Sequence, residues 1–418
     1  MLETGESLRC PGMRDLLWDE MERFHRLEQA FRETCLAWGY QEIHTPSIEY
    51  LHLFTASGTL SPQMLSRVYS FLDWDGWTGE RVVLRPDATI PAVRLFRERL
   101  HEKGWAKLFY TQNVFRFTAG DQPREVWQCG AELIGDAQPT GDLELALIGI
   151  RVLERLGLGP VSVRLSHPGL VKAALARTGL SQREQMEIYD ALIEAEGSAI
   201  RRMEEAAPEL EVPLRLLFDV GNGGSAYLIN LRAALTASLP EALGPLDELI
   251  VIAGAIQALG CTYHIDVRSV GPFEYYTGPV FQLEARGKKV GGGGRYDHLV
   301  GLVGGGGDLP ATGFALDMGA LIALMDPGPP PGAGIAVVPE DRAQGLAAAL
   351  ITASAFQQAG FVAHVVARAG AGAGRWEVQT RSVQDSPQYL LIDLSSSSQR
   401  RFEDISELIE ALRGYGSD

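Results

Sequence analysis

The chain has 418 residues and a formal charge of −16, from 37 Lys and Arg against 53 Asp and Glu. Apolar residues make up 46% and charged residues 22%, the composition of folded domains and not of disordered chain, and the length predicts two or three domains. The acidic balance argues against a broad cationic surface that would hold nucleic acid through its phosphates.

In chain order, Leu17, Met21, Phe24, Leu27, Phe31 and Cys35 recur at three- and four-residue steps. That stripe predicts an amphipathic helix from about Asp15 to Trp38, stopped at Gly39. A short strand is expected over Tyr40 to Pro46, then another over Val68 to Phe71 before a turn at Asp73 to Gly79. Val82 to Leu84 continues the strand pattern, and a helix is expected to open after Arg85-Pro86-Asp87 and run to about Leu100. Lys107 to Phe117 and Arg124 to Leu133 read as two strands of a hairpin whose connection contains Gly120, Asp121 and Pro123. A helix from about Leu143 to Leu156 follows.

Residues 169–260 are helical by pattern, with a turn at Gly221 to Gly224. Strands return at Tyr263 to Val267, Val280 to Ala285 and Lys288 to Val290, and a helix is expected over Gly313 to Met325. A Pro/Gly linker over 326–332 marks a boundary between a core of residues 1–325 and a small α/β domain of residues 333–418. From Gly332 onward there are seven arginines, ten acidic residues and no lysine, a balance of −3.

The four cysteines (Cys10, Cys35, Cys129 and Cys261) and eight histidines are scattered without metal spacing, so no metal or cofactor is expected. Unpaired thiols, a polar N-terminus and the lack of a bilayer-length apolar run predict a soluble cytoplasmic protein with no membrane contact.

Four stretches could carry chemistry. Gly291 to Gly294, followed by Arg295-Tyr296-Asp297, lacks the Lys-Ser or Lys-Thr of a phosphate loop and reads as a tight turn or as a ligand floor. Arg124, Gln128 and Glu132 differ by even numbers and share one sheet face, a pattern equally open to a solvated face or to a site for a zwitterion. In the second reading Glu132 takes an ammonium that Gln128 orients, and Arg116 lies across the hairpin. In Phe273-Glu274-Tyr275-Tyr276-Thr277, adjacent tyrosines on a strand would face opposite ways. In Arg85-Pro86-Asp87-Ala88-Thr89, a helix-capping role for Asp87 or Thr89 is the cheaper explanation.

In order, these segments resemble the core of histidyl-tRNA synthetase, a class II synthetase. Pro11 to Asp15 with the long helix and Gly39 to Pro46 resembles its motif 1. Phe115-Arg116 with Arg124-Glu125 and Gln128 to Glu132 resembles motif 2. Glu274 to Thr277 and Gly293 to Asp297 resemble the two histidine signatures, and Gly313 to Leu316 the start of motif 3. The resemblance covers roughly residues 9–325. It implies an α+β fold, an antiparallel sheet flanked by helices, followed by a small C-terminal α/β domain like a degenerate anticodon-binding domain.

The resemblance also implies histidine-binding roles for Asp87 (a glutamate in the synthetase), Thr89, Arg116, Gln128, Glu132, Tyr275 and Tyr276. Two synthetase arginines are replaced, by Gly271 and Ala320. Adenylation depends on preorganised cations, one such donor being worth roughly 3–4 kcal/mol of barrier. Keeping the amino-acid side while losing the ATP side is similar to the synthetase paralogues that serve as regulatory subunits of ATP phosphoribosyltransferase. Membership would imply no catalytic residue, a dimer, a short catalytic partner subunit within a hetero-octamer, and feedback inhibition by histidine. The rival expectation is an active histidyl-tRNA synthetase; a third is a paralogue binding tRNA or another amino acid. The charge of the tail argues against tRNA as a partner.

Overall fold

Phe24, Leu27, Phe31 and Cys35 fall on one face of the first helix, Trp18–Ala37, and all four are buried there. Leu17 precedes the helix and is 56% exposed, so the apolar stripe begins one turn later than its spacing suggests. The computed structural model describes residues 8–56, 67–74, 79–118, 120, 122–136, 139–193, 198–218, 224–268, 275–327, 334–339, 345–368, 374–383 and 386–414. They fall into two units, Met1–Asp326 and Pro327–Asp418. The turn expected at Gly221, the position Gly271, the residues Phe273 and Glu274, and most of the linker lie outside the described residues.

In the first unit, β1 is only Gln41–Glu42, shorter than the strand expected over Tyr40 to Pro46. β2 (Ile48–Tyr50), β3 (Ser70–Trp74) and β4 (Gly79–Leu84) make a small antiparallel sheet in the order β2-β4-β3. β3 runs on through Asp73 and Trp74, where a turn was expected. β5 (Ala106–Phe115) and β6 (Glu125–Ile134) form the expected hairpin, with Phe115 opposite Glu125. β7 (Val161–Ser166), β8 (Thr262–Ile265), β9 (Val280–Ala285), β10 (Lys288–Arg295) and β11 (Ala311–Asp317) complete an eight-stranded sheet, in the order β1-β5-β6-β11-β10-β9-β7-β8. Its centre is antiparallel, while β1 and β8 add in parallel at the two edges.

The helices Trp18–Ala37 and Pro139–Arg155 contribute Phe31, Leu145, Ile148 and Val152 to the main core, together with Cys129 and Leu133 of β6. Among the described residues six further α-helices between β7 and β8 belong to the same apolar cluster. Among the described residues no helix is long and apolar enough to cross a membrane.

Three further elements differ from the sequence expectation. The glycine run is neither turn nor loop: it is the body of β10, paired with β9 on one side and β11 on the other. Glycine is a poor strand former, so propensity hides this strand. The helix expected over Gly313 to Met325 is half strand, β11, followed by the helix Met318–Leu324. β7 was not anticipated, although Val161, Val163 and Leu165 alternate with Ser162, Arg164 and Ser166.

In the second unit β12 (Ile335–Pro339), β13 (Ala363–Val365), β14 (Trp376–Val383), β15 (Ser386–Asp393) and β16 (Ser398–Phe402) form a mixed sheet in the order β13-β12-β14-β15-β16. The helices Leu346–Gln358 and Ile405–Gly414 share one core with it, joining Phe356, Leu408 and Leu412 to Val337, Val378 and Leu391.

Candidate ligand site

The strands β6, β9, β10 and β11 floor a cavity of about 530 Å³ in the first unit. Asp87, Thr89, Arg116, Gln128, Tyr275 and Tyr276 line it, so six of the seven residues singled out from the sequence converge on one space. The seventh, Glu132, lies behind the lining and is fully buried.

Glu132 projects from β6 on the same face as Gln128, as the even spacing requires. Tyr110 Oη donates to its Oε1 at 2.9 Å, and Tyr296 Oη donates to its Oε2. Burial raises its carboxyl pKa to about 8, against the opposing pull of the Tyr296, Tyr110 and Thr89 hydroxyls. Thr89, Tyr296 and Gly313 are lining residues that touch this carboxyl. A Cβ on Gly313 would coincide with the carboxyl oxygen, so only glycine leaves room for Glu132.

Asp87 stands before the helix Thr89–Leu95, and its Oδ1 accepts from Ile90 N–H at 2.9 Å. The capping role and the cavity position therefore coexist. Burial pushes its pKa up, opposed by the Ile90 N–H and the Arg116 guanidinium. Arg116 Nε donates to Pro86 O at 2.8 Å, which fixes the guanidinium beside Asp87. Tyr275 and Tyr276 do not sit on a strand with opposite facings. Both line the cavity, edge to face with ring centroids 4.7 Å apart. Lys172, on the helix Pro168–Arg177, donates to Tyr276 O at 3.3 Å and ties this segment to the helical layer.

Two basic residues of the motifs are structural. Arg295 is buried against Asp142 at 2.8 Å and also binds Asp136 O at 3.1 Å. Arg85, 1% exposed, holds Thr45 O, Gln112 Oε1 and Asn113 O at 2.6–2.9 Å. The sequence reading missed Tyr110 and Tyr296 as clamps on Glu132, and Gln282, Lys289 and Asp317 as lining residues. Their placement depends on strand register, which no local signal carries. Asp317 caps the helix Met318–Leu324 by accepting from Ala320 N–H at 2.9 Å. Ala320 thus occupies the first turn of the helix that begins beside the cavity.

This fold with its cavity defines a class II synthetase core, and residues 12–321 match the family model described as histidyl-tRNA synthetase. A protein of Dehalococcoides mccartyi named ATP phosphoribosyltransferase regulatory subunit is 48% identical over 319 residues, 76% of this chain and 77% of that protein. The chain belongs to this family of synthetase-like ATP phosphoribosyltransferase regulatory subunits. A histidine–tRNA ligase of Moorella thermoacetica is 32% identical over 350 residues, 79% of this chain and 77% of that protein. A crystal structure from Bacillus halodurans, described as an ATP phosphoribosyltransferase regulatory subunit/histidyl-tRNA synthetase, superposes with a TM-score of 0.75. It has 25% identity and covers 88% of this chain and 95% of that one.

Proposed function

We propose that the cavity binds free histidine and that the chain is a non-catalytic regulatory subunit of ATP phosphoribosyltransferase. In this reading it is required for the activity of a short catalytic subunit and carries feedback inhibition by histidine. The observation that carries it is the composition of the wall. Asp87, Thr89 and Gln128 offer acceptors for an ammonium, Arg116 offers a cation for a carboxylate, and the buried Glu132 lies beneath with its oxygens held by Tyr110 and Tyr296. That set matches a zwitterion with a second nitrogen-bearing group.

The same wall is ill suited to ATP. Among the described residues its cations are Arg116 and Lys289, and the helix start beside it presents the Asp317 carboxylate and the Ala320 methyl. A triphosphate needs clustered positive charge where negative charge develops. The chain therefore supplies no reacting group, and histidine acts by favouring one arrangement of the assembly over another, a coupling that is reciprocal. A dimer of this chain within a hetero-octamer with the catalytic subunit is the assembly proposed.

The test is phosphoribosyl transfer by a short catalytic subunit, measured with and without this chain and across a histidine titration. Activity should depend on the chain and fall as histidine rises. Histidine-dependent pyrophosphate exchange into ATP by the isolated chain would overturn the non-catalytic reading in favour of a synthetase.

A further inference from the structure

The second unit contains a cavity of about 520 Å³ that no part of the reading above uses. Strand register places it. Val338 of β12 pairs with Gln379 of β14, Gln379 with Leu390 of β15, Arg381 with Gln388, and Leu390 with Arg401 of β16. These six side chains therefore share one face of the sheet. It is the face opposite the helices, because the alternate residues Val378, Tyr389, Leu391 and Phe402 enter the helix-covered core. The cavity also reaches Pro339, the last residue of β12, and its register partner Thr380 of the parallel strand β14. Ligands of open α/β sheets commonly sit at the carboxyl ends of the strands.

We propose that this cavity binds a small phosphorylated molecule of about nucleotide size. Two guanidiniums, Arg381 and Arg401, face it, and a guanidinium presents the planar fork that matches a phosphoryl group. The Arg401 side chain makes no hydrogen bond or ion pair within the described residues, so its fork is open to a ligand. Gln379 gives its amide N–H to the buried Glu377 at 2.9 Å, which leaves its carbonyl to accept from a ligand hydroxyl or N–H. Gln388 adds a second amide, while Val338 and Leu390 supply an apolar wall. The volume lies within the usual range of small-molecule sites, roughly 300–1,000 Å³. A long RNA is the poorer occupant. The region from Gly332 carries seven arginines against ten acidic residues and no lysine, so successive phosphates beyond the first would meet net negative charge. Glu403, at the same cavity, adds to that repulsion.

Calorimetric titration of the full chain tests this, with inorganic phosphate, uridine 5′-monophosphate, uridine and a single-stranded RNA oligonucleotide as probes. Inorganic phosphate should bind saturably. Uridine 5′-monophosphate should bind at least about tenfold more tightly than either phosphate or uridine. Arg381→Gln and Arg401→Gln should each weaken it by about tenfold or more. Arg400→Gln is the control for charge alone: Arg400 lies over the Phe402 ring at 5.0 Å, on the helix side of the sheet. It should leave affinity unchanged. All three arginines are exposed, so the variants should melt with the wild type. The proposal is overturned by unsaturable phosphate binding, by uridine binding as well as its monophosphate, or by equal loss in Arg400→Gln. It is also overturned if the RNA oligonucleotide binds more tightly than the mononucleotide and competes with it, or if Arg116→Gln, in the first cavity, abolishes binding while Arg401→Gln does not.

Discussion

Gly313 and Glu132 face each other across β11 and β6 as a directly paired couple, and the carboxyl of one fills the space where the other would carry a side chain. The buried acid is thus seated by a residue that has nothing to touch it with. Gly313→Ala should displace Glu132 and cost about 1–3 kcal/mol, the usual range for overpacking a filled interior. A melting curve measures the loss. Histidine titration should show binding abolished, and retention of both stability and affinity would remove Glu132 from the ligand site.

Glu132→Gln keeps the shape and removes the charge. Histidine affinity should fall by at least about tenfold, or roughly 1.4 kcal/mol. Burial raises the wild-type carboxyl pKa to about 8, so in the empty chain it holds its proton to higher pH than an ordinary glutamate, and a bound cation draws it toward the ionised form. Histidine binding at pH 7 should therefore release protons, measurable by calorimetry in buffers of different ionisation enthalpy. The variant should release fewer.

The same carboxyl makes the empty chain's stability depend on pH. Its folded pKa lies above the ordinary glutamate range, so the folded state holds the proton more tightly than the unfolded chain. The stabilisation is fully present below the ordinary glutamate pKa and is lost as pH rises through about 8. Asp87, also shifted upward by burial, acts in the same direction. Denaturant midpoints should decline between pH 5 and 8, and Glu132→Gln should flatten the decline.

Asp142 and Arg295 form a buried pair at 2.8 Å with side chains 3% and 9% exposed. Asp142→Ala leaves the buried guanidinium with Asp297, at 3.4 Å and partly exposed, as its remaining carboxylate, at a cost of up to about 3–5 kcal/mol. The double variant Asp142→Leu with Arg295→Met should recover a large part of that, because desolvation offsets much of a buried pair's attraction. Chemical denaturation of the three variants distinguishes this from simple loss of packing, in which the double variant would be the worst.

The amphipathic stripe from Met21 to Cys35 and the β5–β6 hairpin were legible because each is written in local periodicity. The convergence of Asp87, Thr89, Arg116, Gln128, Tyr275 and Tyr276 was legible only through resemblance, since nothing in their spacing joins segments nearly 200 residues apart. What stayed hidden has physical causes. After Val290, β10 is glycine from 291 to 294 and has no side chains there to carry strand propensity, and β11 carries the small and apolar residues that suit a helix equally well. Tyr110 and Tyr296 became partners of Glu132 only through the register of three strands. Arg295, conspicuous next to the glycine run, is a core ion pair and not a ligand group. The Ala320 position could be located, but its meaning came from comparison with a charged residue elsewhere, not from any mark in this chain.

The glycine run of β10 has a consequence for how the site can change. A Cβ at Gly291 would lie 2.5 Å from Ala315 O, and one at Gly292 would lie 2.6 Å from Phe281 O. Neighbouring positions of one strand are thus barred from both sides, so the glycine part of the floor cannot be rewritten by substitution. A lineage altering its ligand has the other positions to work with: Asp87, Arg116, Gln128 and the tyrosines. A saturation library over this protein should show a short, nearly blank stretch at the floor bordered by positions where replacements survive with altered preference. That contrast between a fixed base and a negotiable rim lets ligand preference shift while the pocket itself stays in place.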